Sequence, residues 1–392
     1  MFFMFFAGSK AAYSISLGLV ILYILYQAYI QRKQEIAKNK TVRTFFILYA
    51  IFIGGLLAIS AVYNINHAFA KAVKFVAYAV PCIVTYLALK DSKSVTKNIS
   101  WGTWLGTICL CVPAIIEWTG QKGKFRANGS FASPVTFAML LESMIPLLVI
   151  LLYLTYKGKS KYRSLGLALG SSSLVTALIS FFMSRTRGAI VGIIIGLVAM
   201  VVARRIFSGN MAFYKKKIIL FLVLILAGII GSFGFMLKYA HRSYDMERVL
   251  LMHSSIAMWQ DHKVLGVGFG NWEHSYHTKY ISPKAKEPNL PHAHNNFSMF
   301  FASTGTVGGL CYTIFTFGSL LWLLKSLHSQ PDNAMLYAML WAWFANFSHS
   351  FVDFTFSGKF GMRIYFCLWG ITLASVVNYK KYAFDKNSEK IQ

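Results

Sequence analysis

In "PHAHNNFSMFFASTG", residues 291 to 305, His292, His294, Asn295 and Asn296 stand at the head of a strongly apolar run. An imidazole, with an unperturbed pKa of about 6.5, can take a proton near neutral pH. Arginines supply a second kind of group: Arg185 and Arg187 in "SFFMSRTRGAIVG", and Arg248 in "SYDMERVLLMHSSIAMWQDH". The planar donor fork of a guanidinium binds phosphate oxyanions bidentately. A base and phosphate-binding arginines together fit group transfer from a lipid-linked diphosphate. The arginines would neutralise charge growing on the leaving diphosphate while a histidine deprotonates an incoming hydroxyl. Diphosphate is already a good leaving group, so this chemistry needs no metal and no cofactor.

Each of these residues also has a plainer reading. Arg185 and Arg187, in a short turn between two apolar runs, can snorkel to an interface. Arg248 can face lipid phosphates from a surface helix. Lys71 and Lys74, at i and i+3, share a helical face and suit interfacial anchoring. Asp353 in "NFSHSFVDFTFSGKF" is costly in so apolar a setting unless paired, with Arg363, a lysine or a histidine as partner. Glu142, alone in "FAMLLESMIPLLV", reads as a packing or pairing residue. Asp245 and Glu247 suit the first turn of a helix better than a metal. His292 and His294 have no convincing set of further ligands for zinc, so no metal site is expected. Gly266, Gly268 and Gly270 lack both the spacing and the leading strand of a dinucleotide fingerprint; "GVGFGNW" reads as a flexible turn.

The elements that must position these groups are membrane helices. Of 392 residues 56% are hydrophobic and 13% charged, and apolar runs of about 20 residues recur, each long enough to cross a hydrocarbon core. Lipid demands closed backbone hydrogen bonding, and no alternating barrel pattern is present. Helices are expected near 11–30, 44–63, 69–89, 101–118, 133–156, 164–183, 188–207, 218–237, 294–324, 333–351 and 360–379. "MFFMFF" at the start is too short to span and is either part of a twelfth helix or an interfacial anchor. The expected fold is therefore all-α, a polytopic bundle of eleven or twelve transmembrane helices with one large extracytoplasmic loop containing an amphipathic helix. It divides into N-terminal helices (1–237), the loop (238–293), C-terminal helices (294–379) and a cytoplasmic tail (380–392).

The net charge of +26 is a topology signal rather than a nucleic-acid footprint, because it is spread over short loops instead of one soluble face. Lys and Arg crowd alternate connections and the tail "NYKKYAFDKNSEKIQ", which the positive-inside rule assigns to the cytoplasm. The 238–293 loop then faces outward, as do Lys71, Lys74, "GQKGKFRANGS" and "SRTRG". Seven of the ten histidines lie between His241 and His294. Within the loop, acidic residues followed by Val249, Leu250, Met252, Ile256 and Trp259 predict an amphipathic helix on the membrane surface. All five cysteines fall in or at the edges of predicted spans, so disulfides are not expected to shape the protein.

Four stretches, "FRANGSFASPVTFA", "SRTRGAIVG", "ERVLLMHSSIAMW" through "GVGFGNW", and "HAHNNFSMFFASTGTVGGL", occur in this order over residues 120 to 360. Together they resemble the bacterial O-antigen ligases, within a superfamily that also holds O-antigen polymerases and O-linked oligosaccharyltransferases. The resemblance implies about twelve helices and an essential histidine on a large periplasmic loop. It implies a multi-pass protein of the bacterial inner membrane that moves glycan from undecaprenyl diphosphate to lipid A-core, using neither metal nor nucleotide. By motif position it puts the base at His294 and the diphosphate-binding arginines at Arg187 and Arg248, with Asp353 a looser match. Arg185, His292, Asn295, Lys71 and Lys74 are candidate supporting residues. The alternatives are an O-antigen polymerase using the same donor and, in a different class, a flippase or transporter of lipid-linked glycan. The short basic tail argues against an O-linked protein glycosyltransferase.

Overall fold

The computed structural model describes residues 39–63, 68–92, 95–131, 133–207 and 243–388. The expected spans at 11–30 and 218–237, the "MFFMFF" stretch and the start of the outer loop lie outside the described residues. Among those described every regular element is helical. In chain order they are α1 (Lys40–Tyr63), α2 (Ala68–Leu89), α3 (Val95–Gly120), α4 (Pro134–Lys157), α5 (Arg163–Met183), α6 (Arg187–Phe207), α7 (Ser243–Asp261), the short α8 (Trp272–Ser275), α9 (Asn296–Ser329), α10 (Ala334–His349) and α11 (Lys359–Ser388). Eight of the described helices are long and apolar enough to cross a membrane, making this a polytopic helical membrane protein. At 16 residues α10 is shorter than these eight, and it is buried almost all round, as a helix apolar on every face must be.

Local chemistry sets the helix ends that matter. Ser133 caps α4, its hydroxyl accepting the Thr136 amide at 3.2 Å, and Pro134 follows at the first helical position. Packing then depends on small residues where backbones meet, since apolar burial alone does not drive helices together in lipid. Along α6, a Cβ on Gly188, Gly192 or Gly196 would meet Val352 Cγ2 at 2.6 Å, Ala345 O at 2.6 Å or Trp341 O at 2.4 Å. This four-residue glycine spacing lays α6 directly on α10 and the turn after it.

The long loop before α9 folds onto that helix through a kink. Gly305 is the one non-helical residue inside α9 (φ 60°, ψ −163°), and a kink there diverts backbone groups from their intrahelical partners. The segment after α7 takes them. The amide of Val267 donates to Ala302 O at 2.9 Å, Thr306 N to Lys263 O at 2.7 Å, and Val307 N to Val264 O at 3.2 Å. Gly266, Gly268 and Gly270 all have positive φ, and a Cβ on Gly266 would lie 2.5 Å from Ala302 O. The stretch expected as a flexible turn is therefore a fixed lock.

The helix expected within this loop is present as α7. Glu247, Leu251, Ser254, Ser255 and Met258 are buried, whereas Ile256 is exposed. The reason is polar packing: Trp272 Nε1 donates to Ser255 Oγ at 3.0 Å, and the Trp272 and Tyr276 rings stack 5.1 Å apart. Ser254 donates to Tyr280 O at 2.7 Å, and Glu247 accepts the Lys286 amide at 2.6 Å. Serines and a carboxylate thus face inward beside Leu251 and Met258.

Candidate functional site

The "HNN" triplet divides its labour. Asn295 caps α9 by accepting the Ser298 amide at 2.9 Å, and donates to Phe351 O at 3.0 Å. Asn296 is buried and uses both ends of its amide. Its Oδ1 accepts the Thr355 amide at 2.9 Å, and its Nδ2 donates to Thr355 Oγ1 at 2.9 Å and Tyr312 Oη at 3.0 Å. The Asn296 amide itself donates to Ser350 O at 2.9 Å. The two asparagines thus hold the 350–355 turn against the start of α9. Beyond it Phe356 stacks on Phe75 at 5.4 Å.

That turn brings Asp353 to His294. Nδ1 of His294 lies 3.1 Å from Asp353 Oδ1, which also accepts the Phe354 amide at 2.7 Å. Asp353 is therefore partnered by a histidine, one of the options open in sequence. The carboxylate is sealed, at 5% side-chain exposure, while the imidazole keeps 19%. Burial alone would push the Asp353 carboxyl up. The hydrogen bond and charge of His294, with His349 and His292 nearby, outweigh it and hold the group well below the usual carboxylate range. His294 itself has φ 48°, a left-handed conformation uncommon for any residue but glycine, held here by the surrounding hydrogen bonds.

His292 packs beside this pair, its ring 4.4 Å from that of His294 and 5.7 Å from Phe354. Burial, and secondarily the charge of His294, push its pKa down to about 4 against the pull of Asp353, which keeps it neutral at neutral pH. Its buried Nδ1 has no hydrogen-bond partner. Ligand atoms of His292, His294 and Asp353 fall within 4.8 Å of one another. Zinc bonds of about 2.1 Å at tetrahedral angles set ligand atoms roughly 3.4 Å apart, so this trio would have to close up to hold the ion.

The arginines gather from three separate elements. Arg187 opens α6, Arg185 precedes it with φ 49°, and Arg248 lies in α7. A fourth, Arg126 in "FRANGS", was not singled out in sequence. Its Nε donates to Ser184 O and its Nη2 to Thr186 Oγ1, both at 2.8 Å, and the neighbouring Ala127 amide donates to Met183 O at 3.0 Å. The α3–α4 loop is thereby tied to the α5–α6 turn. Partial burial first, then the positive charges of Arg248, Arg185 and Arg187, lower the Arg126 pKa, with Asp353 acting the other way. Arg248, Arg185, Arg187 and Asp353 thus all lie within electrostatic reach of Arg126. Four positive charges beside one buried carboxylate suit an anion carrying more than one negative charge.

Arg185 Nη2 also donates to Gly123 O at 3.2 Å, which makes it part of the tie between loops. Lys71 turns elsewhere, donating from Nζ to Gly270 O at 2.9 Å, so it fastens the glycine lock. Lys74 is exposed on the same helix. Glu142 and His349 form a second carboxylate–imidazole pair at 2.9 Å, each 1% exposed. Beside α7 and the first turn of α9, an apolar groove of about 300 Å³ is lined by Ser255, Ile256, Trp259, Phe297, Ser298 and Phe301.

Residues 172–313 match the family described as O-antigen ligase. The matched stretch holds Arg185, Arg187, Arg248, His292, His294 and Asn295, while Arg126, Glu142, His349 and Asp353 lie outside it. No curated protein matches the chain.

Proposed function

With residues 172–313 matching the family described as O-antigen ligase, we propose that the protein is an O-antigen ligase of the bacterial inner membrane. It transfers glycan from undecaprenyl diphosphate to a lipid A-core hydroxyl on the periplasmic side. The observation that carries this reading is the half-open His294–Asp353 pair beside the cluster of Arg126, Arg185, Arg187 and Arg248.

Asp353 accepts a proton-bearing Nδ1 from His294, which leaves Nε2 as the basic nitrogen. Nε2 takes the proton of the acceptor hydroxyl as its oxygen attacks the anomeric carbon. The bond from that carbon to the diphosphate oxygen breaks, the new glycosidic bond forms with inversion, and the electron pair leaves with the diphosphate. Arg187, Arg248 and Arg126 bind the charge that grows there. Asp353 stabilises the imidazolium formed. His292 lacks a carboxylate partner and its neutral form is favoured by burial, so His294 is the better base. No step requires a metal, and the apolar groove beside Phe297 and Trp259 offers the lipid chain a path to the site.

Glycan transfer by purified protein in liposomes, with a lipid-linked donor and lipid A-core acceptor, tests the enzyme reading against transport. No turnover with verified substrates would overturn it. A deletion strain separates ligase from polymerase: bare lipid A-core with polymer stranded on its carrier is expected, and single repeat units on the core would point to a polymerase.

A further inference from the structure

The glycosyl-transfer reading leaves one costly feature unused. Glu142 and His349 are each 1% exposed and bond only through Oε2 and Nδ1; Oε1 of Glu142 has no hydrogen-bond partner. Burying such a pair between membrane helices is expensive, and well-packed apolar side chains would serve packing as well or better. What an apolar contact lacks is direction, and three helices meet here. Glu142 belongs to α4. His349 ends α10, and its carbonyl accepts the amides of Val352 and Asp353, each at 3.0 Å. The opening of α6 presses on both partners: a Cβ on Gly188 would lie 2.8 Å from His349 Cδ2, and one on Gly192 would lie 2.6 Å from Glu142 Oε1.

We propose that Glu142 and His349 form a positioning pair that fixes the turn carrying Asp353 against the start of the helix carrying Arg187. The base precedes α9, whereas Arg187 opens α6. The hydrogen bond at 2.9 Å sets the end of α10 on α4, the Gly188 contact sets α6 on the same imidazole, and Asp353 hangs from the His349 carbonyl. Neither Glu142 nor His349 touches substrate. Each acts through the spacing of Asp353, and hence His294, from Arg187.

The test compares Glu142→Gln, which keeps the hydrogen-bond acceptor, with Glu142→Met, which keeps the volume and removes it. Both are purified, checked by thermal unfolding and assayed for glycan transfer in liposomes. Glu142→Met is expected to lose about 10²-fold in kcat with the donor KM little changed, the scale expected when reacting groups shift by about 1 Å. Glu142→Gln is expected to stay within roughly threefold of wild type on the same reasoning. Wild-type kcat in a folded Glu142→Met overturns the proposal, and so does a Glu142→Gln as impaired as Glu142→Met. Should Glu142→Met not be recoverable from the membrane, His349→Asn, which keeps a donor near Nδ1, against His349→Phe poses the same comparison. The inference rests on the glycosyl-transfer reading, so His294→Ala is assayed alongside. Full transfer in that variant removes the base and with it the role of the pair. Loss there together with full kcat in Glu142→Met removes the positioning role alone.

Discussion

His349 and Asp353 stand four residues apart, and each closes a carboxylate–imidazole pair, at 2.9 Å with Glu142 and at 3.1 Å with His294. The bonds are alike and the settings are not. In one pair both partners are sealed between helices, while in the other the carboxylate is sealed and the imidazole is 19% exposed. Exposure of one partner alone separates a pair that can exchange a proton with substrate from one that can only fix geometry. The sealed pair has α6 packed on it through glycines, whereas the carboxylate of the open pair lies within electrostatic reach of Arg126.

The largest effect should come from the open pair. His294→Ala is expected to lower transfer by about 10²–10⁴-fold, the range of a lost general base, with the protein still inserted and folded. Transfer at wild-type level in liposomes would erase the distinction between the two pairs. Asp353→Ala, which removes both charge and acceptor, should approach the same loss. Asp353→Asn keeps an acceptor for His294 and the Phe354 amide, so it should fall by only about tenfold. An Asn variant as inactive as the Ala variant would mean that charge, not orientation, is what Asp353 supplies.

Next come the cations that distinguish the open pair's surroundings. Arg126→Lys, Arg187→Lys and Arg248→Lys keep charge but lose the fork, and each is expected to raise the donor KM by about tenfold. An unchanged donor KM in Arg126→Lys would reduce that residue to the tie between Ser184, Thr186 and its own loop.

Much of this was legible in sequence, and the failures have physical causes. Nine of the eleven expected spans lie in described residues and each is a helix there, because a run of about 20 apolar residues has few other fates in lipid. His294, Arg187 and Arg248 were picked out by motif position in the family resemblance. Arg126 was not, since "GQKGKFRANGS" holds other cations and only the fold ties this one to Ser184. His349 lay four residues from Asp353 without drawing notice, and Glu142 could be read only as a residue in need of a partner. Pairing over more than 200 residues leaves no periodic trace. On α7, Ser254, Ser255 and Glu247 turn inward beside Leu251 and Met258, which apolar spacing alone does not announce.

The sealed pair should be intolerant of added volume. A Cβ on Gly192 would sit 2.6 Å from Glu142 Oε1 and from Ala345 O, so Gly192→Ala must push α6 away from α10. A stability loss of about 1–3 kcal/mol is expected, typical of overpacking, read as a lowered thermal midpoint in detergent. An unchanged midpoint would mean that the α6–α10 contact yields freely, and rigidity could no longer distinguish the sealed pair.

The smallest effect separates His292 from its neighbour by pH. Burial pushes its folded pKa down to about 4 from an ordinary 6.5, so between those values the unfolded chain binds the extra proton and the folded chain does not. Stability then rises with pH across this window, and it is lost as pH falls from about 6.5 toward 4. His292→Asn removes the titration and should flatten that part of the thermal midpoint's pH profile while leaving the neutral-pH value nearly unchanged. Asp353 cannot imitate this, because a carboxyl held below its usual range gives up its stabilisation only as pH falls below about 4. A profile between pH 6.5 and 4 that is as steep in His292→Asn as in wild type would show that His292 binds its proton equally in the folded and unfolded states, and would remove the burial argument for preferring His294 as the base.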